Sequence, residues 1–473
     1  MIKLFNTMGR SLDTLEVLRD NEIRMYTCGP TVWNYPHIGN YRTFLFEDLL
    51  RRFLKYRGYK VKQVMNLTDV DDRIIKTCNE QKIALRELTK KYEDAFFQDL
   101  VYLAFDRAEF YLRATDYIHE MVKIIEGLLA KGIAYRSEDG SVYFSIAKFP
   151  AYGKLSGLKP SELKTGARVR QDDYDKSSAQ DFALWKAWDE DDGMIFWETA
   201  LGKGRPGWHI ECSAMSMKIL GEQFDIHTGG VDLIFPHHEN EIAQSESFTG
   251  KEFAKLWLHS EHLMVNDLKM AKRLGNFITV NELRERGYDG RSIRLALLSV
   301  HYRSQLNFSE NSIVQAQSSI HRVEEFVSRL LEFDYRRTIE DYAVKLVENT
   351  RRDYVLALDN DLDSPSALSV FYDLLSDGNK LLDDGRAGKD GVAAMLDFVR
   401  MDFNSIFAAL PDEDFERFQL NQKQLELLDQ REIARKSKDW QKSDSLRISL
   451  AEEGIEVQDT PEGQKWRRKA RSS

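Results

Sequence analysis

Cysteine is scarce in this chain: three in 473 residues, Cys28, Cys78 and Cys212. So few cannot build a disulfide framework, and a reducing, cytoplasmic location is expected. Proline is also scarce, with 9, and no low-complexity tract breaks the globular composition. No apolar run is long enough to span a bilayer, so no membrane partner is expected. The first residues, Met1–Asn6, have neither a signal-peptide core nor Arg-rich transit character. A net charge of -10 argues against a surface that binds nucleic acid everywhere, but leaves room for a local basic track. One such track is Lys465–Arg471, which alone reads equally well as a frayed tail.

The length exceeds one ordinary core and predicts two to four domains. Ile23–Thr27 is short and β-prone, and Phe44–Leu54 is amphipathic and stopped at Gly58. Lys60–Met65 alternates like a strand. That order is a βαβ unit and predicts a parallel sheet. Helices are expected near 84–102 and 117–131, and a hairpin around Asp139-Gly140. The polar, irregular stretch from Leu155 to Gly204 reads as an insertion. The α/β pattern resumes at Trp208, with strands at 223–227 and 256–258. Beyond about Val280 the periodicity is almost entirely helical. The expected fold class is therefore α/β: a Rossmann-like parallel-sheet catalytic domain with an insertion, followed by helical C-terminal domains.

Cys28 and Cys212 read as half of a metal site. The other half is the cluster Phe235–Glu241, where several side chains can bind a metal and where His237 and Glu241 stand four apart, on one face if helical. Such a mixed sulfur, nitrogen and oxygen set suits zinc. Pro36-His37-Ile38-Gly39-Asn40 lies between the first strand and its helix, where open parallel sheets bind ligands. His and Asn can donate hydrogen bonds to phosphate, and Gly39 permits close backbone approach. Alone, this motif reads more readily as a helix-entry loop with a capping Asn. Lys269-Met270-Ala271-Lys272-Arg273 groups cations able to neutralise a transferring phosphoryl group. Alone, it is a solvated basic loop.

Together, in this order, the two motifs resemble the HIGH and KMSKS elements of class I aminoacyl-tRNA synthetases. The segments 28–32, 66–72, 207–215, 235–244, 301–306 and 438–440 resemble the cysteinyl-tRNA synthetase family, almost end to end. The resemblance implies zinc ligands Cys28, Cys212, His237 and Glu241, with His238 a neighbour. It implies that His37, Asn40, Lys269 and Lys272 act on the ATP phosphates. Gly39, Gly229, Gly230 and Asp232 would join His37, Asn40 and Lys272 around the nucleotide. Thr68, Trp208 and His227 would line the cysteine pocket. The implied division is 1–112 and 203–265 for the two catalytic halves, 113–202 for the insertion, 266–310 for the KMSKS-loop and stem-contact region, 311–410 for a helical bundle, and 411–473 for a small anticodon-binding domain.

The implied activity is cysteine–tRNA ligation, with tRNA(Cys), L-cysteine and ATP·Mg²⁺ as partners, one zinc per subunit, and a monomer. A metal has a physical rationale, because shape alone rejects a near-isostere such as serine by only about 10², whereas zinc binds thiolate strongly. Two departures from the family pattern stand out. Asn40 replaces the second His of the first motif, and Ala271 and Arg273 replace the serines of the second. Two alternative readings compete: a cysteine-adenylating ligase with an amino-sugar acceptor, and a non-catalytic tRNA-binding paralogue. The long segment after Arg291 counts against the first, and the metal set with Lys272 against the second. Cys78, with no partner motif, reads as a plain small residue.

Overall fold

The computed structural model describes residues 1–158, 181–270, 276–334, 340–416, 420–460 and 463–468. The chain forms two compact units. One comprises Met1–Glu285, Leu297–Ser309 and Leu356–Pro365; the other comprises Arg286–Ala296, Glu310–Val355 and Ser366–Ser473.

The first unit is organised by a five-stranded sheet. Strand β1 (Glu22–Thr27) leads through helix α1 (Ile38–Tyr56) to β2 (Lys60–Leu67), and β3 is Phe110–Arg113. Helix α2 (Trp208–Leu220), β4 (Phe224–Gly230), α3 (Glu239–Thr249) and β5 (Ala254–Ser260) complete it. The strand order is β5-β4-β1-β2-β3, and every pairing is parallel. The predicted βαβ unit is present as β1-α1-β2. The chain adds strands on one side of β1 and then returns to add β4 and β5 on the other. The crevice between the carboxyl ends of β1 and β4 is thus the switch point where such sheets take ligands.

Helix α1 begins six residues before the apolar stretch that announced it, because His37 caps it. The His37 ring accepts from the Asn40 N–H, and the Asn40 side chain accepts from the His37 N–H. This reciprocal box satisfies two orphan donors. The Pro36–Asn40 motif is therefore a cap and a first helical turn rather than a loop, and His37, not Asn40, is the cap. Gly58, with φ +89°, follows the helix end as expected.

The stretch read as irregular contributes to a second, antiparallel sheet of Ala134–Arg136, Val142–Phe144, Phe182–Ala187, Gly202–Pro206 and Trp197–Thr199, in that order. Its first hairpin turns through Gly140 at φ +92°. Residues Tyr26, Val64, Leu112, Ile125, Trp185, Phe224 and Trp257, together with Cys28 and Cys212, share one buried core.

In the second unit, Phe371 stacks on Phe403 at 3.6 Å inside a helical core. At its end, helices Gln422–Lys436 and Trp440–Glu452 pack with an antiparallel hairpin, Ile455–Thr460 with Gly463–Arg468. The basic track is a strand as far as Arg468, which corrects the frayed-tail reading; Lys469–Arg471 lie outside the described residues.

Candidate active site and metal centre

Cys28 is the first residue past β1, and its N–H donates to the Thr228 carbonyl of β4 at 3.2 Å, across the switch point. Gly29 must be glycine here, because a Cβ would stand 1.9 Å from the Asn66 carbonyl oxygen. Cys212 lies in the second turn of α2. His237 lies in the wide turn Ile234–His238 that enters α3, and Glu241 follows one helical turn later, with 3.0 Å between His237 Nε2 and Glu241 Oε1. The ligand atoms of Cys28, Cys212, His237 and Glu241 all lie within 4.8 Å of one another, and all four residues are buried.

A second, overlapping set, Cys28, His227, His238 and Glu241, meets the same distance criterion. Its histidines are already committed. His227 Nε2 is 2.9 Å from Glu241 Oε2. His238 spends Nδ1 on His259 Nε2 at 2.8 Å and Nε2 on the Cys28 sulfur at 3.3 Å. His259 continues to the Thr7 hydroxyl at 2.7 Å. Cys28 and Glu241 are common to both sets; the first adds the Cys212 sulfur and His237, whose Nε2 lies 3.0 Å from Glu241 Oε1. Two sulfurs, an imidazole and a carboxylate oxygen form a donor set that fits zinc. His237 has its other ring nitrogen, Nδ1, 2.9 Å from His209 Nδ1.

The charges are arranged accordingly. Burial would raise the Cys212 thiol, but the Cys28 thiol and His237 bring it down to about 6. Burial, with Cys212 beside it, raises Cys28 well above the usual thiol range. Burial opposes ionisation of Glu241, yet His227 and His237 hold it at about 2. His237 rises to about 10 against burial because Glu241 and Cys212 surround it. Burial pushes His238 well down and takes His259 to about 3. The neighbours thus favour the charged forms of Cys212, Glu241 and His237, while burial favours neutral His238 and His259.

The other expected site residues converge on this crevice to different degrees. Thr68 follows β2 and is zipped to the loop after β1, with Val32 N–H donating to the Thr68 carbonyl and Thr68 N–H to that of Pro30. Trp208 opens α2 and stacks on His237 at 4.2 Å. His227 stacks on Trp257 at 4.5 Å. Gly229 and Gly230 end β4; a Cβ on Gly229 would meet the His238 ring at 2.8 Å, and one on Gly230 would meet Asp232 Oδ1 at 2.4 Å. Asp232 itself is exposed. At the helix entry, the capping box commits Asn40 Oδ1 to the His37 N–H at 3.0 Å, leaving the NH₂ end to donate. Gly39 is packed under the His37 ring, 2.9 Å from where a Cβ would sit.

The segment following the second basic motif pairs with the first motif: Ile38 N–H donates to the Ile278 carbonyl at 2.9 Å, and Phe277 meets the His37 ring at 5.1 Å. Lys269 ends a two-residue strand paired with Met264–Val265. Lys272, with Ala271 and Arg273, lies outside the described residues.

Sequence reasoning missed the polar shell behind these groups. His209, His259 and Thr7 carry no spacing signal, because their partners lie 28, 21 and 252 residues away. Glu239, next to the cluster, accepts backbone N–H bonds from Gly153, Leu155 and Ser156 at 2.8, 3.1 and 2.9 Å, fastening the insertion to the entrance of α3.

Comparison with known proteins agrees with this architecture. The class I (C) tRNA synthetase catalytic domain matches residues 14–318, and the cysteinyl-tRNA ligase anticodon binding domain matches residues 419–467. The cysteine–tRNA ligase of Koribacter versatilis (strain Ellin345) is 45% identical, covering 99% of this chain and 100% of that one. That of Brachyspira hyodysenteriae is also 45% identical, over 99% of each. These relatives lend the amino-sugar reading no support. Among solved structures, methionyl-tRNA synthetase of Mycobacterium tuberculosis in complex with methionyl-adenylate superposes with a TM-score of 0.64 at 14% identity, covering 83% of this chain and 92% of that one; at that identity the likeness speaks for the fold alone. With its catalytic sheet, its metal-type quartet and these near-full-length relatives, the chain belongs to the cysteine–tRNA ligase family of class I aminoacyl-tRNA synthetases.

Proposed function

We propose that this enzyme activates L-cysteine with ATP·Mg²⁺ and transfers it to the 3′-terminal adenosine of tRNA(Cys). The observation that carries the reading is the buried quartet Cys28, Cys212, His237 and Glu241 at the switch point of the sheet. One zinc held by those four residues would ionise a substrate thiol and prefer sulfur to the hydroxyl of serine. Trp208, Thr68 and His227 shape the amino-acid pocket around them.

The first chemical step needs no general base, since the cysteine carboxylate is already a nucleophile. It attacks the α-phosphate of ATP and expels pyrophosphate, and catalysis is positioning and charge stabilisation. His37 and the NH₂ end of Asn40 supply donors at the entrance of α1, where the helix dipole also favours phosphate. Lys269 and Lys272 supply cationic charge from the second motif. Gly39, Gly229 and Gly230 let backbone approach the nucleotide, and Asp232 holds the ribose. In the second step the terminal ribose hydroxyl of the tRNA attacks the acyl carbon and AMP leaves.

The six-part division stands within this proposal, with residues 411–473 as the anticodon module. None of the described helices is long and apolar enough to cross a membrane, and we place the enzyme in the cytoplasm as a monomer. The test is ATP–pyrophosphate exchange driven by cysteine and by serine, on zinc-loaded and zinc-stripped protein, followed by charging of tRNA. Cysteine-dependent exchange that collapses on stripping is expected; selectivity that survives without metal refutes the reading.

A further inference from the structure

The first turns of α2 put Trp208, Glu211 and Cys212 on one face, three and four residues apart. Trp208 stacks on His237 and Cys212 belongs to the quartet. Glu211, between them, has no role in the chemistry above. It is 1% exposed. Its carboxyl lies beside the Thr68 side chain, and its Oε2 is buried without a protein partner. A carboxylate oxygen in the interior without a protein donor is an atom that a ligand's N–H can satisfy.

Thr68 narrows what that partner is. Asn66 uses both ends of its amide: Oδ1 accepts from Gly29 N–H at 2.9 Å, and Nδ2 donates to Thr68 Oγ1 at 3.2 Å. The Thr68 hydroxyl therefore receives one hydrogen bond and keeps a lone pair for another donor. What remains open is one lone pair on Thr68 and the Oε2 of Glu211. Two adjacent acceptors suit a cation that carries several protons. An ammonium beside Glu211 would also compensate the charge that burial disfavours.

We infer that Glu211 is a specificity-determining residue that receives the α-ammonium of the amino-acid substrate, with Thr68 as second acceptor and Asn66 as the brace that fixes Thr68. The inference rests on the cysteine-ligase reading and deepens it: the quartet tests one end of the substrate for sulfur, and Glu211 tests the other for an amine. Asp232, assigned above to the ribose and the other carboxylate near the crevice, is exposed to water, where a charge contact counts for less.

The experiment titrates zinc-loaded, full-length protein with cysteine and with 3-mercaptopropionate, which keeps the thiol and carboxylate but lacks the amine. Wild-type protein is expected to prefer cysteine. In Glu211→Gln, cysteine affinity is expected to fall about 10- to 100-fold while 3-mercaptopropionate affinity stays within about twofold, and Glu211→Asp should recover part of the loss. A variant that keeps the wild-type preference, or that loses both ligands equally, overturns the inference. So does a preference abolished by Asp232→Asn and untouched by Glu211→Gln. Wild-type protein that binds neither thiol overturns the ligase reading itself, a result distinct from all of these. Independently of any variant, a crystal structure of the wild type with a non-hydrolysable cysteinyl-adenylate analogue should place the ammonium nitrogen about 3 Å from Glu211 Oε2; a separation beyond about 4 Å refutes the assignment.

Discussion

The crevice at the β1/β4 switch point and the module at the chain's end treat charge in opposite ways. Around the crevice, Cys28, Cys212, His227, His237, His238 and Glu241 are all buried, ionised or paired inside an extensive apolar core. Among the described residues, the terminal module has a small core of Leu428, Leu450, Ile455 and Val457, with Leu420, Leu427 and Trp466 packed against it. Its buried Arg431 is answered by Asp459, whose side chain is 36% exposed. A large core can bear the desolvation of a reactive polar interior. A small one answers a buried charge with a carboxylate at the rim, where water shares the cost.

The strongest way to break this contrast is to remove a sulfur from the crevice. Cys212→Ser is expected to lose bound zinc and to cut cysteine-dependent ATP–pyrophosphate exchange by about 1000-fold or more, while hydrogen exchange across residues 420–468 stays unchanged. Metal analysis alongside the exchange assay checks it. The converse change is Leu450→Ala in the terminal module, where a fully buried side chain is removed. A loss of about 2–5 kcal/mol is a large share of what so small a core supplies. Charging of tRNA should fail while cysteine-dependent exchange stays within about twofold.

Protons sharpen the comparison. In the first unit, burial pushes Asp99 up to about 6, against the hydrogen bond from Tyr41. A raised carboxyl destabilises the fold once ionised, so Asp99→Asn should stabilise the first unit at pH 7.5. The gain should fade as pH falls through 6 toward 4. In the terminal module the sign reverses. The Arg431 hydrogen bond holds Asp459 below the usual carboxylate range. Its contribution is therefore present at neutral pH and lost as pH falls through the depressed value, and Asp459→Asn should remove it at pH 7.5. Peptide-resolved hydrogen exchange from pH 2 to 8 reads both. The smallest effect belongs to Cys78, buried beside Ile74 and Leu88. Cys78→Ala should cost no more than about 1 kcal/mol and leave zinc stoichiometry unaltered.

Much of the fold was legible because β1 and β2 carry local apolar signals on either side of a helix with an amphipathic face. The start of α1 was not, because its cap is a side-chain exchange between His37 and Asn40 that no periodicity reports. The antiparallel sheet of the insertion was legible only in pieces, since its strands are short and pair across long separations. At the site, the two cysteines and the His237–Glu241 spacing announced a metal. The sequence said nothing of Glu211, whose meaning depends on a neighbour, Thr68, more than a hundred residues away.

By itself, then, the sequence determined the chemical inventory: two widely spaced thiols, a histidine-rich cluster, two phosphate-type motifs and the order of domains that carries them. Only the tertiary structure decided which imidazole nitrogens are already spent on protein partners and that a buried oxygen on Glu211 has no protein donor. The physical reason is that hydrogen-bond satisfaction is a property of register. Until β1, β2, β4 and β5 lie side by side and α2 and α3 dock on them, none of those atoms has lost its water, and none is yet in want of a partner.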